Sequence, residues 1–194
     1  MKKYFLILSI LFTSILNAQK QNGTIFFKDG TTKNGLLKIT NNHKIKFKIN
    51  ENSEDVLTYS SLEVEKIEIE FKKNRKEVKV YKDTESLFQS SDKLLTLLEE
   101  GKVNLYMDML HVDNGVQLIY YVDKKKEKLT KIYPVGFMGN GSDKAIEEYF
   151  QDCPTLLELL KREAFRKFVK MKKGLKSQYR LEEIVKYYNQ KCDN

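Results

Sequence analysis

The stretch GTIFFKDGTTKNG, residues 23–35, decides how the fold is read. A short strand over residues 24–28 stops at Asp29-Gly30, and a second begins at Gly35 and runs to Thr40 before Asn41-Asn42. Asp-Gly between two such runs signals a hairpin, because Gly takes the positive φ that a tight turn requires. Outward from there, residues 44–49 alternate strictly, with Ile45, Phe47 and Ile49 on one face and Lys44, Lys46 and Lys48 on the other. That period of two predicts a strand with one buried and one wet face. Residues 64–71 repeat it, setting Ile67, Ile69 and Phe71 against Glu68 and Glu70. Residues 77–82 add Val78 and Val80 after an Asn74-Arg75 turn. Five or six short antiparallel strands are expected before residue 83.

Beyond it the signals alternate. Ser90-Ser91-Asp92 offers helix caps, Leu94, Leu95, Leu97 and Leu98 follow, and Gly101 suits the left-handed position past a helix end, so a brief helix is predicted there. Strands over 103–110, 116–122 and 128–133, with Asn114-Gly115 and the 123–126 run as turns, predict a meander. After Pro134 the spacing turns helical. Ser142 caps a helix over 143–150, and a longer one starts with Pro154 in its first turn, carrying Leu157, Leu160, Ala164, Phe168, Met171 and Leu175 as its stripe until Gly174 weakens its end. A final helix over about 178–190 presents Leu181, Ile184, Val185 and Tyr188. Two amphipathic helices on a short link predict an antiparallel hairpin. The expected class is therefore α+β. An antiparallel barrel-like sheet (19–83) precedes a short helix with a meander (84–141), and a helical region with a basic hairpin (142–194) closes the chain.

The first eighteen residues have the basic start, the apolar run of about a dozen residues and the small residue Ala18 of a secretory signal peptide, too short an apolar run to span a bilayer. Export, to the periplasm or beyond, is the expectation, with Gln19 as the first mature residue. Position 19 is not the Cys of a lipoprotein signal, and no later stretch reads as a transmembrane span. The formal charge is +8, or +6 without Lys2 and Lys3, an excess that favours anionic surfaces without demanding nucleic acid.

Two cysteines stand where a helical hairpin would bring its ends together, Cys153 before the first helix and Cys192 after the second. A disulfide between them would close a loop of about 40 residues and stabilise the fold by about 4 kcal/mol. Two free thiols are the alternative, and a catalytic cysteine would need a nearby base. His43 in a polar turn and His111 at a strand end read as solvated loop residues.

Charge is concentrated near the end of the chain. Ten basic residues, Lys161, Arg162, Arg166, Lys167, Lys170, Lys172, Lys173, Lys176, Arg180 and Lys186, face only Glu163, Glu182 and Glu183, a local balance of +7. The functional reading is an anion-binding face for an anionic envelope component or an envelope protein. The bland one is the wet side of an amphipathic hairpin. Nucleic acid is not the expected partner, since no recognition module is present. Residues 136–142, GFMGNGS, match neither the dinucleotide fingerprint nor the P-loop and read as a connection ending in a Ser cap. Tyr120-Tyr121 and Tyr187-Tyr188 read as core and rim packing rather than a sugar platform. No spacing of acids, Ser, His or Cys selects a catalytic site, a metal or a cofactor. A non-enzymatic binding or structural module is the leading expectation, an envelope hydrolase assembled from distant residues is the rival, and a subunit of an envelope assembly is a third.

The opening Gly23 to Gly35 stretch, the strand at Ile45 and residues 64–67, VEKI, resemble the small SH3/Sm-like barrels of bacterial envelope proteins over about 50 residues. The wider chain resembles a set of uncharacterised exported proteins of Gram-negative bacteria. The residues that carry this likeness are Leu94 to Gly101 with residues 103–106, Asp152-Cys153-Pro154, and residues 185–189 with Cys192. What it implies is export, this architecture and paired cysteines. No activity comes with it.

Overall fold

A computed structural model describes residues 20–40, 44–71, 75–85, 90–112, 115–124, 128–132, 141–165 and 176–192. The chain divides into two compact units, one ending at Tyr81 and the other starting at Lys82. Every strand pair with a described register is antiparallel.

The first unit holds β1 (Gln21–Phe27), β2 (Thr32–Ile39), β3 (Ile45–Lys48), β4 (Leu57–Tyr59) and β5 (Val64–Phe71), and β6 (Arg75–Glu85) begins in it. Its strand order is β6-β5-β1-β2-β3-β4. The β1–β2 turn forms where Asp29-Gly30 predicted it. Gly30 sits at φ +85°, its N–H donates to the Phe27 carbonyl at 3.0 Å, and the Phe27 N–H donates to the Thr31 carbonyl at 2.9 Å. Asp29 completes the turn by accepting from the Thr31 N–H (2.8 Å) and hydroxyl (2.6 Å), hydrogen bonds that hold its carboxyl below the ordinary aspartate pKa. Alternation then does what the sequence predicts. Ile25, Ile45, Phe47, Val64, Ile67 and Ile69 are all at most 2% exposed, while Lys46, Glu65 and Glu70 are exposed. Ile49 is the exception, 70% exposed, because β3 ends at Lys48 and the chain bends away there. β4 is a strand that alternation did not locate, since three residues are too few to show a period.

The second unit continues β6 into β7 (Ser90–Glu99), β8 (Val103–Val112), β9 (Gly115–Lys124) and β10 (Thr130–Ile132), ordered β10-β9-β8-β7-β6. Among the described residues that follow are three helices: α1 (Gly141–Tyr149), α2 (Pro154–Lys161) and α3 (Lys176–Lys191). α3 packs on β7 and β8, and α1 on β10. The core joins Val103, Leu105, Tyr120, Val122 and Ile132 of the meander to Ile146, Phe150, Leu156, Leu181, Ile184, Val185 and Tyr188 of the helical part. The α3 stripe is the one its spacing predicts, each member at most 3% exposed.

Two expected elements are corrected. The helix expected between Ser90 and Gly101 is strand β7, paired with β8 through Thr96↔Met107 and Leu97↔Tyr106, with a register shift before Glu99↔Leu105. Leu94, Leu95 and Thr96 are consecutive and all buried, so β7 is enclosed on both faces. Such a strand reads as an unbroken apolar run, and cap and helix propensities of a few tenths of a kcal/mol per residue yield to its pairing and burial.

The long helix expected from Pro154 through Leu175 stops at Lys161. The Arg162 N–H still reaches the Glu158 carbonyl (3.0 Å), and the Glu163 N–H closes on the Leu160 carbonyl (3.0 Å) in a left-handed residue at φ 58°. In a continuous helix Leu160 and Phe165 would lie about 140° apart around the axis. The break instead sends both into one core, each 9% exposed, with the Phe165 ring edge-on to Tyr187 at 6.3 Å. A left-handed Glu costs about 1 kcal/mol, less than the roughly 2 kcal/mol from burying a Phe. The remainder of the expected helix, with Phe168, Met171 and Leu175, lies outside the described residues.

Candidate functional site

Cys153 occupies the N-cap position of α2 and Cys192 directly follows α3, and the two form a disulfide with their Cα atoms 5.6 Å apart. Both are buried, 2% and 3% exposed. The clip is seated by polar contacts on either side. Asp152 accepts the Tyr188 hydroxyl at 2.6 Å and the Lys124 ammonium of β9 at 2.8 Å. Lys124 also donates to the Tyr149 carbonyl (3.2 Å) and lies over the Tyr149 and Tyr188 rings. On the other side Lys102 donates to the Cys192 carbonyl. One turn back in α3, Asn189 accepts from the Val103 N–H (2.8 Å) and donates to the Val103 carbonyl (3.0 Å), filling both backbone valences at the start of β8.

Cys192 lies 39 positions after Cys153, and the basic residues predicted as an anion face all lie between them. Lys161 is exposed at the end of α2. Arg162 is exposed and reaches Glu158 at 3.5 Å. Arg180 is half-buried on α3, and Lys186 pairs with Glu99 of β7 at 3.0 Å and Glu183 at 3.9 Å. Glu99 is the main reason that the Lys186 ammonium holds its proton above the usual lysine pKa. Lys176 opens α3, but its side chain, and all of Arg166, Lys167, Lys170, Lys172 and Lys173, lie outside the described residues. The structure thus places the ends of the basic segment and not its middle. Beside it, the end of α2 and α3 frame a groove of about 340 Å³ lined by Leu159, Ala164, Phe165, Glu183, Lys186, Tyr187 and Gln190.

A second polar cluster forms on the sheet face opposite the helices. The β8–β9 register sets Asn104 against Asp123, Tyr106 against Tyr121 and Asp108 against Ile119. Asp123, 6% exposed, accepts from Lys82 of β6 (2.7 Å), Asn104 (2.8 Å) and Tyr106 (3.2 Å). Lys93 of β7 pairs with Asp108 at 3.0 Å. Burial works against the Lys82 charge, but its hydrogen bonds to Asp123 and Tyr106 outweigh that and raise its pKa above the ordinary lysine value. Burial pushes the Tyr106 hydroxyl up as well. Each buried carboxylate here is matched by a cation, an arrangement that fixes side chains in place.

Other residues singled out in the sequence fall elsewhere. Tyr120, Tyr121 and Tyr188 are buried and Tyr187 is half-buried, which is packing, as expected. His43 and residues 136–140 lie outside the described residues, and His111 belongs to β8 with its side chain undescribed. Among the described residues no group of three or more His, Cys, Asp or Glu could hold a metal ion, and no helix is long and apolar enough to cross a membrane. Sequence reading missed Lys82, Lys124, Asp123 and Asn189 as network members, because their partners are 17 to 86 residues away along the chain. A comparison with family models, with curated proteins and with solved structures finds no match to this chain.

Proposed function

We propose that this chain is exported and acts as a non-enzymatic binding or structural module of the cell envelope or its surroundings. Its partner is an anionic envelope component or another envelope protein, contacted through the basic segment between Lys161 and Lys186. The barrel-like first unit and the stapled helical hairpin of the second are the architecture of this reading.

The observation that carries it is the buried Cys153–Cys192 disulfide, which ties together the two ends of the segment that holds the most basic part of the chain, while Lys124 and Lys102 hold the neighbouring Asp152 and the Cys192 carbonyl. A bridge of this kind persists in an oxidising compartment, and a segment with a balance of +7 held at both ends retains less freedom to lose on binding. Intact-mass measurement on protein from fractionated cells, with and without reduction and alkylation, tests the export half. The expected species starts at Gln19 with both thiols protected until reduction, and a full-length chain with free thiols would overturn it. Charge reversal at Lys167, Lys170 and Lys173 tests the contact half. Retention on anionic vesicles or on the co-purifying envelope partner should fall at least tenfold, and unchanged retention would sink the assignment.

A further inference from the structure

We infer a second anion-binding surface on the first unit, a row of lysines running across strands that fits a carboxylate-bearing polysaccharide. The argument starts from register. Lys38 of β2 lies directly opposite Lys46 of β3, both on the outward face, while their neighbours Leu37 and Phe47 pair inward. Gln21 of β1 is opposite Leu37, so one further step of that register puts the exposed Lys20 beside Lys38. Lys44, also exposed, lies two residues from Lys46 on the same side of the alternation.

Like charges directly opposite one another in an antiparallel pair are destabilising, their Cβ atoms being about 5 Å apart. Unfavourable pairs of this kind are commonly relieved by an acid nearby. Among the described residues no ion pair reaches Lys20, Lys38 or Lys46, whereas across the same unit Lys66 and Lys76 pair with Glu68 and Glu70. Three ammonium groups on neighbouring strands, about 4.8 Å per step, are thus left for an anion from outside.

The surroundings choose the kind of anion. At the far end of β3 the exposed turn carries Glu51, Glu54 and Asp55. A flat anionic bilayer would have to approach those acids as well as the lysines, but a single extended chain lying across the row does not. The aromatic ring on this face, Phe26, is half-buried with the Lys66 ammonium 4.5 Å above its centre, so it offers unstacked bases no open platform. What remains is a linear polymer that repeats carboxylates and needs no stacking. This surface is separate from the basic segment of the second unit.

The experiment uses the full mature chain and polygalacturonate as probe at low ionic strength, with neutral dextran, an oligothymidylate and phosphatidylglycerol vesicles as parallel arms. Binding to polygalacturonate but not dextran is expected, weakened at least tenfold in K38Q/K46Q and less than twofold in K167E/K170E/K173E. K38Q/K46Q should melt no lower than the parent, since it removes a repulsion, which guards against loss by misfolding. No binding by the parent, equal binding by K38Q/K46Q, or binding confined to the oligothymidylate or the vesicles would overturn the inference. If only K167E/K170E/K173E abolishes binding, this surface fails while the proposed role of the basic segment stands.

Discussion

Asn189 is one side chain on which two elements depend. It fills the N–H and carbonyl valences of Val103, a residue with no exposure. Replacing it by Ala leaves both groups short of a partner, which should cost about 2 kcal/mol in denaturant unfolding. Gly101 belongs to the same contact. A Cβ built there would run into the Asn189 amide, so Gly101→Ala should destabilise by about 1 to 3 kcal/mol although no positive φ is involved. Lys82 and Tyr106 supply a pH test. Their ordinary pKa values are 10.5 and 10.0, and both are raised in the fold. In that range the folded state binds more protons than the unfolded chain, so stability is whole below about pH 10 and declines as pH rises through the folded values. Melting temperatures taken from about pH 8 to about pH 11 should fall at the alkaline end, and Tyr106→Phe should flatten the decline. An unchanged slope in that variant would remove Tyr106 as a cause.

Among the elements, the legible ones carried their own period. β3 was readable because lysines alternate with Ile45 and Phe47, and α3 because Leu181, Ile184, Val185 and Tyr188 repeat at three and four. β7 was not, because a strand buried on both faces shows no period, and only its partner β8 says what it is. The end of α2 was not, because what stops it is the gain from turning Phe165 into the core. That break is testable. Glu163→Gly should stabilise the protein by about 1 kcal/mol by removing the penalty on a left-handed Glu, and destabilisation by that amount would argue for a continuous helix. Of the candidate site, the cysteine pair was legible from its position at the two helix ends. The charge networks were not, since residues such as Lys82 and Asp123 are 41 apart in sequence and meet only through the strand order.

For the whole molecule, the division of the chain into two compact units sets the expectation for unfolding. Reducing the disulfide should lower the stability of the second unit by about 4 kcal/mol, the chain-entropy value for a loop of this length. The first unit, without cysteines, should keep its melting temperature. Calorimetry with and without reductant reads both, and a single transition that shifts as one would count against independent cores.

The positions of the two cysteines also order events in time. Both follow all of the described strands in a chain that emerges from its N-terminus, so those strands are present before the second thiol arrives. With two cysteines there is only one intramolecular pairing to make. Oxidation therefore comes last and has no wrong partner within the chain, so recovery of the native bridge from reduced protein should depend on an oxidant and not on a disulfide isomerase.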